Sequence, residues 1–359
     1  MLRRLCFVLL LGALASPEGD AAGTAQMGTH PLLIAFGSCL RQQAPQPVWK
    51  TLRALAPDAL VLGGDNVYAD TGSYLLRPEP ERIGTAYAEL AANPDWAALR
   101  AQLPLYATWD DHDYGRNDAG AEYPHKLASK AFFMDFFHVP ADAAMRSRDG
   151  VYDVHWIERD GRQIQLLLLD TRSFRSPLVK AARNAACPTI RWGRSEAPGA
   201  TMLGEAQWTW LAGRLAAPAD LHLLVSSIQV IPDEHCYEKW ANFPRERERL
   251  LSLIDGASAP VLILSGDRHL GEISRMPANA ARHWPLLELT SSGLNSARVS
   301  ADAPEPNRYR ALPGNVRVDN FATIGISWRD DAPSFLLALR DSRNGGMLQQ
   351  LEARLTTRP

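Results

Sequence analysis

Ten short apolar runs set the limits on what this chain can fold into. They lie at 32–38, 59–64, 103–109, 150–157, 164–170, 221–230, 261–266, 286–291, 320–328 and 334–340. Leu, Ile and Val dominate them, and several are apolar at every position instead of at alternate ones. A strand with one wet face alternates, whereas a strand that is apolar throughout is covered on both faces. Amphipathic stretches at 46–56, 84–102, 126–137, 203–216 and 243–255 separate the runs and have the length and period of helices. The last of these has good start chemistry, with Pro244 in its first turn and Arg245, Glu246, Arg247 and Glu248 ahead of Leu250 and Leu251. Strands and helices in alternation predict an α/β layered fold. In the last third helices thin out, which predicts a second, more antiparallel sheet packed on the first. No Pro/Gly/Ser-rich linker divides the chain. Segment 173–200, with Pro177, Pro188, Pro198 and several arginines, reads as a long excursion of the kind that carries function.

The first residues read as an address and not as part of the fold. Arg3 and Arg4 give a positive start, Leu5 to Leu14 an apolar stretch too short to stay in a bilayer as a helix, and Ala13-Leu14-Ala15 a cleavage pattern. Residues 1–22 are therefore expected to be a signal peptide and 30–359 the domain, exported to the periplasm or secreted, with no transmembrane segment after leader cleavage. The Arg3-Arg4 pair also suits the twin-arginine route. Beyond the leader three cysteines face an oxidising compartment. Cys187 and Cys236 lie in loop-like segments and are predicted to pair, leaving Cys39, at a strand end, as a free thiol. The net charge is -2 with no basic stripe, which argues against nucleic acid as an obligatory partner.

Four strand ends carry metal-type ligands. Run 32–38 delivers Cys39, and run 59–64 ends in Gly63-Gly64-Asp65-Asn66-Val67-Tyr68. Run 103–109 leads into Trp109-Asp110-Asp111-His112-Asp113-Tyr114-Gly115-Arg116-Asn117-Asp118, and run 261–266 ends in Ser265-Gly266-Asp267-Arg268-His269. Ligands of α/β sheets bind at the carboxyl ends of strands, so these segments are expected to converge. Aspartates crowded as at 110, 111, 113 and 118 repel one another and resist burial unless a multivalent cation removes the repulsion. Taken singly, a Gly-Asp step is ordinary turn chemistry, Cys39 a buried small hydrophobe and Tyr68 core packing. Taken together, these residues supply the mixed ligands of a multinuclear metal site. A serine hydrolase is excluded, because Gly37-Ser38-Cys39 lacks the Gly-x-Ser-x-Gly elbow.

Gly37-Ser38-Cys39, Gly64-Asp65-x-x-Tyr68, Trp109-Asp110-Asp111-His112-Asp113 and Gly266-Asp267-x-His269 resemble, in order, the motif series of the PhoD-like alkaline phosphatases. These belong to the calcineurin-like metallophosphoesterases. The resemblance implies an exported, metal-dependent hydrolase of phosphoric esters on a four-layer α/β/β/α sandwich with two packed mixed sheets. It implies Fe(III) among Cys39, Asp65, Tyr68 and Asp267, and Ca2+ among Asp65, Asp111, Asn117 and His269, with Asp118 the substitute for Asn117. Asp111 and His112 would be catalytic, His112 facing the phosphate. A metal-activated hydroxide would attack small-molecule phosphomonoesters or diesters in line, without a covalent phospho-enzyme. The chemistry agrees, since thiolate and phenolate favour a high-charge ion while calcium prefers carboxylate and water. The other readings are a phospholipase-type diesterase on the same fold and a non-catalytic metal- or phosphate-binding protein. The presence of His112 beside a full ligand set weighs against the latter. Residues 233–243, with His235, Trp240 and Phe243, would either wall the pocket or form a packed surface loop. A Cys187–Cys236 bridge would join them to the excursion as a lid.

Overall fold

The computed structural model describes residues 31–184, 187, 191–298 and 305–355; the expected leader with its arginine pair, and Pro188, lie outside the described residues. Its strands are β1 (Leu32–Gly37), β2 (Ala59–Gly63), β3 (Leu105–Thr108), β4 (Asp153–Arg159), β5 (Arg162–Leu168), β6 (Leu221–Ser226), β7 (Val261–Ser265), β8 (Gly271–Met276), β9 (Leu286–Ser291), β10 (Asn320–Arg329), β11 (Ala332–Asp341) and β12 (Met347–Arg354). Its helices are α1 (Val48–Leu55), α2 (Glu81–Ala91), α3 (Pro94–Arg100), α4 (Asp111–Tyr114), α5 (Lys126–Phe136), α6 (Ala144–Ser147), α7 (Gly204–Ala216) and α8 (Pro244–Asp255).

The strands form two mixed six-stranded sheets, ordered β12-β11-β10-β1-β2-β3 and β4-β5-β6-β7-β9-β8. Strands β1, β2 and β3 run parallel, as do β5, β6, β7 and β9, so within each sheet these carboxyl ends share one edge. Three apolar layers explain why the runs lack alternation. Ile34, Phe36 and Val61 of the first sheet meet Leu166, Leu223, Leu264 and Leu289 of the second in a core between the sheets. Their neighbours Ala35, Leu60 and Leu62 point the other way, onto Trp49, Leu52, Ile83 and Trp96 of α1, α2 and α3. On the second sheet Leu167, Leu224 and Ile263 face Trp208, Leu211, Leu250 and Ile254 of α7 and α8. The result is the expected four-layer α/β/β/α sandwich.

Three sequence expectations need correction. The single helix expected over 84–102 is two, α2 and α3. Pro94 cannot donate to a preceding turn, and the Asn93 side chain starts a new helix by accepting from the Asp95 and Trp96 amides at 2.9 and 3.3 Å. The late strands do not form a sheet of their own. Strand β10 joins the first sheet antiparallel to β1, and β11 and β12 extend it, each antiparallel to the strand before, while β7, β8 and β9 complete the second. Finally, β8 and β12 were not anticipated; β12 is an edge strand whose residues alternate between exposed and half-buried.

Candidate metal centre

For ligands on separate strands to meet, the strand ends must approach closely. Glycine permits this at two points. Gly64 has a φ of +103°, and a Cβ there would lie 2.6 Å from Asp110 Cβ and 2.7 Å from the Asp110 amide nitrogen. A Cβ on Gly266 would lie 2.4 Å from Ser38 Oγ and 3.0 Å from the Ser227 carbonyl oxygen. A residue with a side chain would hold these segments apart. Five residues of these segments adopt left-handed backbone: Cys39 (φ 63°), Asp65 (52°), Asp118 (59°), Asp267 (68°) and His269 (55°). Such a conformation costs a non-glycine residue about 1–2 kcal/mol. Its concentration at strand ends means that tertiary packing holds these side chains where the local backbone would not put them.

Two ligand groups result, sharing Asp65. In the first, one atom each of Cys39, Asp65 and His269 lie within 4.8 Å of one another. Cys39 Sγ is 3.4 Å from Asp65 Oδ2 and 3.0 Å from Ser292 Oγ. Tyr68 joins this group, its hydroxyl 3.0 Å from Asp65 Oδ2 and 3.1 Å from His269 Nε2. His269 Nδ1 lies 2.5 Å from the Ser296 carbonyl oxygen, to which it can only donate, so Nε2 is left as the ligand nitrogen. In the second group Asp65 meets Asp111 and His112, and Asp111 in turn meets Asp118 and Glu238. The Asp118 amide donates to Asp111 Oδ2 at 2.6 Å, while His112 Nε2 stands 4.0 Å from Asp111 Oδ1.

The electrostatics of the cluster are those of a site that wants a cation. Burial pushes the Cys39 thiol and the Tyr68 phenol well above their usual ranges, and the Asp65 charge adds to both effects. Burial also raises Asp65 well above the carboxylate range, Asp118 to about 8 with help from Glu238, and Asp267 to about 6 against the pull of Arg268. Asp111 goes the other way, to about 2, because His112 and Arg172 outweigh its burial. His269 is held down to about 3 by burial. Asp111 Oδ1 is buried with no hydrogen-bond partner among the described residues. A multivalent cation would supply that partner and favour the ionised forms that burial opposes. The donor set fits: thiolate, phenolate and imidazole on one side of Asp65, carboxylates on the other.

The structure thus brings together Cys39, Asp65, Tyr68, Asp111, His112 and His269. His269 sits with Cys39 and Tyr68, not beside Asp111 as the resemblance implied. Asp267 stays outside the tight groups, with Oδ2 3.4 Å from Arg268 Nη1. Asn117 is not brought in. Its side chain is exposed and donates to Asp118 Oδ2 at 2.6 Å, and the substitute position, Asp118, faces Asp111 instead.

Sequence reasoning missed several partners. Asp70 Oδ1 is 2.5 Å from His112 Nδ1 and fixes the ring. Arg172, fully buried, donates to Asp110 Oδ1 at 2.5 Å and to Glu238 Oε2 at 2.7 Å, and Arg175 reaches Glu238 Oε1 at 2.8 Å. Glu238 belongs to the 233–243 loop, and the Cys187–Cys236 disulfide ties that loop to the excursion, leaving Cys39 free, as expected. The Trp192 amide donates to the Cys236 carbonyl at 2.9 Å, and that of Ser195 to the Asn242 carbonyl at 2.7 Å. Trp240 and Phe243 do not wall the pocket. They are buried in the core beneath α7 and α8, with Trp240 Nε1 donating to Ser226 Oγ.

Comparison with known proteins places this geometry in context. The family model described as PhoD-like phosphatase matches residues 34–324. A solved structure of PhoD superposes with a TM-score of 0.63 at 16% identity, covering 92% of this chain and 72% of that one. The Plasmodium protein GAP50, described as the anchor in the inner membrane complex, superposes with a TM-score of 0.54 at 10% identity, covering 91% of this chain and 90% of that one. At such identities these likenesses concern the fold alone. No curated protein matches the chain.

Proposed function

The chain belongs to the PhoD-like phosphatase family, and from that premise we propose that it is an exported enzyme cleaving small phosphate monoesters or diesters at the cluster shared by Asp65. The family makes it a metal-dependent hydrolase of phosphoric esters; the metal pair, the residue roles and the compartment are our reading. One observation carries it: a free thiol, a phenol, two imidazoles and three carboxylates from four strand ends converge in a buried space where burial opposes the ionised form of most of these acids.

Cys39, Asp65, Tyr68 and His269 would hold Fe(III), with Asp267 next to them, and Asp65, Asp111 and Asp118 would hold Ca2+. Bound there, the two cations would lower the pKa of a water and offset charge on the phosphoryl group. The protein contributes position. With Nδ1 tied to Asp70, His112 has Nε2 as its free nitrogen, beside Asp111, where it can donate to a phosphoryl or leaving oxygen. The Arg172–Glu238 pair holds the loop that closes the calcium side. Export agrees with the Cys187–Cys236 disulfide, which belongs in an oxidising compartment. No helix among the described residues is long and apolar enough to cross a membrane.

The test is metal analysis of the purified protein together with turnover of p-nitrophenyl phosphate and its bis-ester; the ratio of the two rates reads monoester against diester preference. Tyr68 on Fe(III) also predicts a visible charge-transfer band that Tyr68→Phe bleaches. Protein without iron and inert on both substrates after calcium addition would overturn the proposal.

A further inference from the structure

The loop that carries Glu238 also lines a cavity of about 920 Å³ that none of the metal-ligand candidates lines. Its wall includes Arg191, Trp192, Asp233, His235, Lys239 and Arg308. Three of these side chains have hydrogen-bonding capacity that the described residues leave partly or wholly unused. His235 is only 4% exposed, and neither ring nitrogen has a partner among the described residues. Trp192 Nε1 is buried and likewise unpartnered. Lys239, also 4% exposed, has three N–H groups and one acceptor among the described residues, the Tyr237 carbonyl oxygen at 3.0 Å. Buried polar groups are nearly always satisfied, so three such residues on one wall need an explanation.

We propose that this cavity is a second ligand site, distinct from the metal centre, which takes the phosphate group of a small molecule or free phosphate. The argument is one of complementarity. An ammonium and an indole N–H offer donors and no acceptor, and an imidazole adds a third donor. What completes such a set is an oxygen-rich anion, bound through charge-assisted hydrogen bonds. The wall also carries two unpaired acceptors: Asp233 Oδ1, whose sister oxygen is engaged by Arg308, and the second nitrogen of the His235 ring, which burial keeps neutral. A free acceptor beside the donors suits a hydroxyl on the body that carries the phosphate. The volume is that of a small-molecule pocket and exceeds what a bare ion fills. The wall is also built to keep its shape, because the Cys187–Cys236 disulfide and the Trp192–Cys236 and Ser195–Asn242 backbone bonds fasten the excursion to the 233–243 loop. That loop presents Glu238 to the metal centre and His235 and Lys239 to the cavity.

The test uses the full chain, metal-loaded and with its disulfide intact, titrated calorimetrically with inorganic phosphate and, separately, with glycerol phosphate. Two phosphate sites are expected. Asp111→Ala should remove the one at the metal centre together with turnover and leave the other. Lys239→Met should weaken the second at least tenfold by loss of a charge-assisted bond, leave p-nitrophenyl phosphate turnover and the thermal midpoint unchanged, and be rescued by Lys239→Arg. If Lys239→Met proves unstable, His235→Gln provides the same comparison. Glycerol phosphate binding tighter than inorganic phosphate assigns the site to an esterified ligand, and the reverse order assigns it to the free ion. A single phosphate site in the wild type, or two sites that neither variant alters, overturns the proposal.

Discussion

Arg172→Met isolates what a buried cation does in this fold. The side chain is fully buried and serves two carboxylates that are each about as buried, Asp110 and Glu238. Methionine keeps most of the volume and removes the charge. Each charge-assisted hydrogen bond contributes about 1.5–3 kcal/mol, and removing one partner of a buried ion pair costs about 3–5 kcal/mol. The second figure applies, because Asp110 and Glu238 stay buried once the guanidinium is gone; Ser227 Oγ, 2.6 Å from Asp110, and Arg175, beside Glu238, only keep the cost from going higher. A loss of about 3–5 kcal/mol is a large part of the roughly 5–15 kcal/mol that holds a domain folded. The pH dependence follows. Burial already holds the Asp110 pKa well above the carboxylate range, and Arg172 is the first force opposing that rise. Without Arg172 the folded-state pKa climbs further, so the stability this group contributes is present below its unfolded pKa and lost as pH rises. The deficit of the variant should therefore be larger at the upper pH of a series than at its acid end, shrinking as pH falls toward the ordinary carboxylate range of about 4. Urea unfolding followed by circular dichroism, with Glu238→Gln and the double variant completing a cycle, reads both quantities. A deficit below about 1 kcal/mol at the upper pH, or one that grows on acidification, would refute the reasoning.

Three further outcomes are expected. Asp70→Asn should lower kcat by about 10–100-fold with KM nearly unchanged, as measured on p-nitrophenyl phosphate, because it loosens the His112 ring without touching substrate. Gly64→Ala should cost about 3 kcal/mol, from a strained left-handed backbone and a Cβ driven against Asp110, and should release metal; unaltered metal content after gel filtration would contradict it. His222, fully buried on β6 with Nε2 3.2 Å from Ser258 Oγ, is held down to about 4 by burial. The folded state then binds fewer protons than the unfolded chain between its pKa and the unperturbed value of about 6.5, so stability should fall by up to about 3 kcal/mol as pH drops through that window. Thermal midpoints of His222→Gln should flatten this part of the acid response, and an unchanged slope would remove His222 as its cause.

Much of the architecture was legible because its signals are local. An apolar run followed by Gly-Asp announces a buried strand and a tight exit within seven or eight residues, and two of the four strand ends with ligand chemistry, those at Asp65 and Asp267, were readable this way. Pro94 was equally local, and the break between α2 and α3 could have been read from it. Sheet membership was not legible, because it depends on pairings such as Ile34 with Ile324 that no window spans. Strand β12 was invisible for a different reason: Gln349, Gln350, Glu352 and Arg354 make an edge strand look like any polar segment. Asp70 and Glu238 were missed because isolated acidic residues are common and their partners lie 42 and 66 residues away. The 233–243 loop was correctly singled out, but for its aromatics; its contribution to the centre is the unremarked Glu238.

The ligand groups do not belong to one sheet. Cys39, Asp65 and Asp111 hang from the first sheet, and His269, which follows β7, comes from the second, with Tyr68 and His269 meeting across 201 residues of sequence. An ion held among them is therefore a rivet through the seam between two separately stitched halves. A chain whose sheets have formed but not docked owns every ligand and still cannot close the coordination sphere, so ion retention would report correct assembly before any substrate arrives. The same coupling works in reverse: parting the seam should shed the ions before either sheet unravels, making ion release an early sign of failure in an ageing or heated molecule.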